Sequence, residues 1–268
     1  MSISIKAIQR LLAAVGKYSG QRDGIIGPKT TRAIDAVLKD GGAVEWPVER
    51  RAIAAAQMIL SDLGYEPGAI DGLCGHNTMS AFEAWDFERI TGVEERVERD
   101  PIGWRGVPRV DLPLQRDVGR VYGEPGPEVE SRLATVDLSF PLRLDWDLAT
   151  SVTRVTLHRL CAPSFVDAME AVRDHYGFDR MQKLGIDRYA GGYMHRRMRG
   201  GNKWSMHAYG CAVDFYAAPN GLRTRCPEAL FCRPEYQPFL DIMEDHGWLP
   251  AIRLWGADAM HFQRARLG

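Results

Sequence analysis

The sequence predicts an α+β protein, with small all-α repeats at the N-terminus joined to an α+β domain that carries a small antiparallel sheet. Three observations lead there. The N-terminal hundred or so residues align on themselves at a shift of 48, and their apolar residues recur at helical spacing. The later part of the chain holds one long amphipathic helical stretch, followed by short segments of strand character.

In the duplication, Ile5, Gln9, Leu12, Gly16, Gly20, Asp23, Gly24, Gly27, Thr30 and Ala33 fall on Ile53, Gln57, Leu60, Gly64, Gly68, Asp71, Gly72, Gly75, Thr78 and Ala81 without a gap. Ile5, Ile8, Leu11, Leu12 and Val15 make a helical stripe that Gly16 terminates. The turn "YSGQRDGIIG" follows, with Asp23-Gly24 as its turn dipeptide. Pro28 suits the first turn of a second helix, whose inner face is Thr30, Ala33, Ile34, Val37 and Leu38. The second copy repeats the plan with Leu60 and Leu63, then "GYEPGAIDGLCG", then Thr78, Ala81, Phe82 and Trp85. Small three-helix modules at 1–45 and 48–92 are the expectation. Residues 101–141 hold six of the fifteen prolines, which reads as a linker over 93–119, or as an extended arm lying on the next domain. In the remaining domain, 120–268, "RVTLHRL" reads as a strand and "SFVDAMEAVRDHYG" as a helix ended by Gly177. "CAVDFYA" and "MHFQRA" read as short strands.

The bulk numbers exclude some functions. A formal net charge of −1 over 268 residues supplies no basic excess for binding nucleic acid. No apolar run approaches the ~20 residues of a membrane span, and "MSISIKAIQRLL" does not read as a secretory signal. Synthesis in the cytoplasm is therefore expected. The five cysteines, Cys74, Cys161, Cys211, Cys226 and Cys232, show no Cys-x-x-Cys spacing. They read as buried small apolar side chains, although Cys226 and Cys232 are near enough in sequence to bridge.

The chemistry lies in "KWSMHAYGCAVDFY". His207 and Asp214 have opposite parity, so in one regular strand they would face opposite sides of a sheet. They converge only if the backbone bends between them, and Gly210 permits that bend. An aspartate within an apolar strand also needs a partner, and a divalent cation is one. In "RLWGADAMHFQ", Asp258 and His261 lie three apart, on the same side of one helical turn or tight loop. Two imidazoles (His207, His261), one carboxylate (Asp214) and an open position make a catalytic zinc set. Asp258 then stands near enough to take a proton from water. No His-Glu-x-x-His is present.

Two resemblances sharpen the expectation. "LGYEPGAIDGLCGHNTMSAF" resembles the peptidoglycan-binding repeat of cell-wall hydrolases, and the first copy departs from it with Gly16-Lys17-Tyr18. Ser205, His207, Gly210, Ala212 and Asp214 fill the signature of the LAS zinc peptidases, the VanY-like and L-alanyl-D-glutamate peptidases. Asp258-Ala259-Met260-His261, preceded by Trp255, resembles their second motif. The resemblance covers about residues 120–268. It implies zinc on His207, Asp214 and His261, Asp258 as general base, and Arg196 holding the substrate carbonyl or oxyanion, with Arg197 one register away as the alternative. Ser205 supports the site, and His195 is either a substrate contact or a solvated loop residue. An acidic residue that is Asp and not Glu sides with the L-alanyl-D-glutamate endopeptidases. Together these imply a monomeric phage endolysin that cuts the stem peptide of peptidoglycan after holin-type release. The alternatives are a D,D-carboxypeptidase, a D-Ala–diaminopimelate endopeptidase, or a non-catalytic wall-binding protein.

Overall fold

The computed structural model describes residues 3–38, 45–92, 111–198 and 202–267. Two compact units divide the chain, Met1–Glu95 and Arg96–Gly268.

The first unit holds four helices, α1 (Ile5–Ala14), α2 (Pro28–Leu38), α3 (Val48–Asp62) and α4 (His76–Thr91). Ser4 caps α1 by accepting the Ala7 N–H, and Gly92 closes α4 in the left-handed conformation. In place of two three-helix modules, the described residues form two-helix copies that share one core. Ile8, Leu11, Leu12 and Ile34 belong to the same buried cluster as Leu60, Phe82 and Trp85. A copy of ~45 residues buries too little apolar surface to stand alone. The run Ala52 to Ala56 leaves α3 slim enough to lie against α1, α2 and α4.

Much of the repeat signature goes into one device, built twice. Buried Gln9 lies with Nε2 3.1 Å from Asp23 Oδ1, 3.0 Å from the Ile25 carbonyl and 3.1 Å from Thr30 Oγ1, while its Oε1 accepts the Gly24 N–H at 2.9 Å. Gln57 repeats this with Asp71, the Leu73 carbonyl and Thr78 at 3.0 Å each, and with the Gly72 N–H at 2.8 Å. Gly72 is required: its φ is +71°, and a Cβ there would stand 2.6 Å from the Arg50 carbonyl oxygen. The repeated Gln, Asp-Gly and Thr therefore shape the loop between the helices.

Either Gln9→Leu or Gln57→Leu strands loop donors and acceptors away from water, and each is expected to destabilise this unit by about 1–3 kcal/mol. Urea unfolding with an unchanged midpoint would refute that role.

The second unit is α+β. Its helices are α5 (Val118–Tyr122), α6 (Pro127–Glu130), α7 (Ala162–Tyr176), α8 (Phe178–Leu184), α9 (Gln237–Asp245) and α10 (Ala251–Leu254). Its strands are β1 (Leu133–Leu144), β2 (Asp147–His158), β3 (Arg188–Gly191), β4 (Ala212–Phe215), β5 (Leu249–Pro250) and β6 (His261–Gln263), in the order β2-β1-β3-β4-β6-β5. The sheet is larger than the small antiparallel one expected, and one of its pairs, β1 with β3, is parallel. The parallel pair is possible because α7 and α8 provide the crossover. Strand β1 was hidden in the sequence by Pro141, which lies where the β1–β2 register shifts between Asp137 and Leu142, a position where a strand tolerates proline.

Residues 112–118 of the expected linker run as an arm along the end of β6. Gln115 N–H donates to the Arg266 carbonyl at 2.8 Å, Arg266 N–H donates to Pro113 at 2.9 Å, and Leu112 is buried with Leu249, Leu254 and Trp255. Residues 93–110 of that stretch lie outside the described residues.

Alternation then positions the site. Phe215 of β4 and Phe262 of β6 point into an aromatic core with Phe165, Phe231, Phe239 and Trp248. Asp214 and His261, one residue along each strand, face the other side, directly opposite one another in the antiparallel ladder. Among the described residues no helix is long and apolar enough to cross a membrane.

Candidate metal centre

His207 comes from outside the strands. It sits on a 3-10 turn, Met206–Tyr209, whose N-cap Ser205 accepts the His207 N–H through Oγ at 3.4 Å. Gly210 ends the turn with φ +66° and reverses the chain into β4, which is the bend that the opposite parity of His207 and Asp214 requires. No other residue fits at Gly210: its carbonyl accepts the His158 N–H at 2.9 Å, and a Cβ would meet that same nitrogen at 2.7 Å.

The three side chains converge. His207 Nε2 lies 3.2 Å from Asp214 Oδ1, His261 Nδ1 lies 3.0 Å from that oxygen, and the two ring nitrogens are 3.1 Å apart. Exposures are 3% for His207, 2% for Asp214 and 8% for His261. The far ring atoms decide the tautomers. His207 Nδ1 is 2.7 Å from the Gly192 carbonyl and His261 Nε2 is 3.3 Å from Gln263 Oε1. Both partners only accept, so both far nitrogens carry protons. The atoms that converge are then three lone-pair donors, an arrangement that needs a cation between them. Their separations are near the ~3.3 Å edge of a tetrahedron with ~2.0 Å bonds to nitrogen and oxygen. Among the described residues, His207, Asp214 and His261 form a buried group suited to hold a metal ion.

The electrostatics agree. Burial pushes the proton affinity of His207 down, and the Asp214 charge offsets this only in part. For His261, burial acts the same way but is outweighed by the hydrogen bond and charge of Asp214, so its pKa is raised. Burial would raise the Asp214 pKa, yet the two imidazoles hold it well below the usual carboxylate range.

Asp258 is buried and adopts φ +62°, a conformation that costs a non-glycine residue energy and often marks a functional position. Its carbonyl accepts the His261 N–H at 2.9 Å, closing the tight loop that the three-residue spacing anticipates, and its charge raises the His261 pKa. Arg196 and Ser205 meet across a short antiparallel pairing: Ser205 N–H donates to the Arg196 carbonyl at 3.1 Å, and Met194 N–H to the His207 carbonyl at 3.2 Å. The Arg196 charge is felt at His207, where it lowers the pKa further. The Arg197 guanidinium lies 3.5 Å over the Trp204 ring and 2.8 Å from the Asn202 carbonyl. His195 is exposed and stacks on the same Trp204.

Several supports were not read from the sequence. Buried Asn220 ties three segments together: its carbonyl accepts the Met260 N–H at 3.0 Å, its Oδ1 accepts the Phe231 N–H at 2.8 Å, and its amide donates to the Tyr216 carbonyl at 2.9 Å. Arg225 pairs with Ala257, next to Asp258, and Cys226 is bonded to Cys232. The bridge that the sequence left open for Cys226 and Cys232 is made, and Cys74, Cys161 and Cys211 are free. The Gly192 carbonyl and Gln263 also carried no motif. Gln263 could have been found by counting two residues along the strand from His261.

No family model, curated protein or solved structure matches the chain.

The purified protein is expected to bind one divalent ion per chain, raising its Tm, and Asp214→Ala is expected to abolish that binding; metal titration followed by differential scanning calorimetry checks both. Cys226→Ser is expected to lower stability by about 2 kcal/mol through the freed loop, an effect that reductant reproduces in the wild type but not in the variant.

Proposed function

We propose that the chain is a zinc peptidase of bacterial peptidoglycan, cutting the stem peptide between L-Ala and D-Glu, with its N-terminal repeats holding the wall. The observation that carries the reading is the buried triangle of His207 Nε2, Asp214 Oδ1 and His261 Nδ1, with the strained acid Asp258 beside it. His207, Asp214 and His261 would hold the ion, and two imidazoles with one carboxylate are the donor set of catalytic and not structural zinc. Zinc held there supplies Lewis acidity toward a water and a peptide carbonyl.

The protein's own groups supply the remainder. Asp258 takes the proton from the attacking water and returns it to the departing amine. Arg196 places a fixed positive charge where the carbonyl oxygen becomes negative, so it favours the transition state over the ground state. Ser205 holds the turn that presents His207. The choice of bond rests on the resemblance of the Asp258-to-His261 motif to the L-alanyl-D-glutamate peptidases. The wall-binding role rests on the resemblance of the repeats. Tethering to the wall raises the local concentration of substrate. A phage endolysin, monomeric and released from the host cytoplasm by a holin, is the biological setting that combines the two.

Digestion of purified peptidoglycan with fragment identification by mass spectrometry tests the proposal. Peptides that begin with D-Glu, lost on chelation and regained with zinc, are expected. Release of D-Ala, or cleavage confined to cross-links, would move the activity to the D,D-peptidase alternatives, and no release from any wall type would leave a wall-binding protein. Asp258→Asn is expected to cut the rate about 10²–10⁴-fold while zinc stays bound. Arg196→Met is expected to cost about 10²–10³-fold and Arg197→Met little, as read by turnover on the same substrate.

A further inference from the structure

His261 and Gln263 are alternate residues of β6, so both face away from the aromatic core. Gln263 is 1% exposed, and the proposed chemistry makes no use of it. Its amide is nevertheless engaged at both ends. Nε2 donates to the Ala265 carbonyl at 2.7 Å, while Oε1 stands 3.3 Å from His261 Nε2 and accepts from Gln115 Nε2 at 3.1 Å. Which end is which follows from chemistry: the Ala265 carbonyl only accepts, so the NH2 group lies on its side and the oxygen faces the imidazole.

An amide oxygen cannot donate. His261 Nε2 must therefore carry the ring proton, and the lone pair is left on Nδ1, the atom 3.0 Å from Asp214 Oδ1 and 3.1 Å from His207 Nε2. Gln115 comes from the arm, where its own N–H is fixed to the Arg266 carbonyl at 2.8 Å. His207 receives the same treatment from the Gly192 carbonyl, a backbone group that no side-chain substitution removes.

We propose that Gln263, locked in place by Gln115 of the arm, sets the tautomer of His261 and so builds its Nδ1 into a metal ligand. Both glutamines are positioning residues, and the arm is part of the metal centre and not merely a covering strand. The proposal rests on the reading of the site as a metal centre.

The full-length protein tests it in two ways. Histidine 15N NMR of the wild type loaded with zinc is expected to show His261 bound through Nδ1 with Nε2 protonated. Zinc affinity, measured by competition with a chromophoric chelator, is expected to fall about 10–100-fold in Gln263→Leu and by a smaller factor in Gln115→Leu. Binding of zinc through Nε2 in the wild type would overturn the proposal, as would wild-type affinity in a folded Gln263→Leu. If far-UV circular dichroism shows that Gln263→Leu does not fold, the wild-type spectrum and Gln115→Leu decide. A wild type that takes up no zinc removes the metal reading and the proposal with it, whereas uptake with unchanged affinity in the variants removes the proposal alone.

Discussion

A carboxylate and two imidazoles meet in a buried space, each turning an electron pair toward the other two. Removing such groups from water is costly, and no hydrogen bond among three acceptors repays it. Only a positive charge at their centre makes the arrangement favourable. Burial lowers the His207 pKa, while at His261 the hydrogen bond and charge of Asp214 outweigh burial and raise it. A divalent ion satisfies all three groups at once.

The surrounding backbone is arranged to keep those atoms where they are. Asp214 and His261 are opposite members of an antiparallel pair, so their separation is set by the sheet and not by side-chain flexibility. Gly210 lets His207 approach from a turn that presses against the end of β2. The loop carrying Asp258 is tied through Asn220 and through the Arg225–Ala257 bridge to a segment closed by a disulfide. The strain at Asp258 persists because its neighbours hold it there, which fits a residue required at one place for its carboxylate.

In the N-terminal unit the repeated Gln and Thr pairs, Gln9 with Thr30 and Gln57 with Thr78, are buried. Gln9 and Gln57 gather Asp, Gly and Thr of their own copies into matching loops, and the two copies complete a single core. Their shared identity therefore records how the loop is built. The side chains these loops present outward include Ile25 and Leu73, which occupy equivalent positions in the two copies and are both exposed.

From the sequence alone came the α+β class, the duplication, the helix ended by Gly177, the strands around Asp214 and His261, and the grouping of His207, Asp214 and His261. All but the last were legible from local rules: apolar period, glycine as a stop or bend, the parity of residues along a strand; His261 was joined to His207 and Asp214 through the donor set of a zinc site and the resemblance. Other contacts made by the tertiary fold were not legible. Strand β1 was disguised by Pro141 in a register shift, and the closeness of Cys226 and Cys232 in sequence allowed their bond without requiring it. The linker stretch and the last strand gave no sign that Gln115 would reach Gln263. Local chemistry determined which atoms are able to bind a cation. The tertiary structure decided which nitrogen of each imidazole does so, because that depends on the acceptor behind the ring, and that acceptor is brought there by folding.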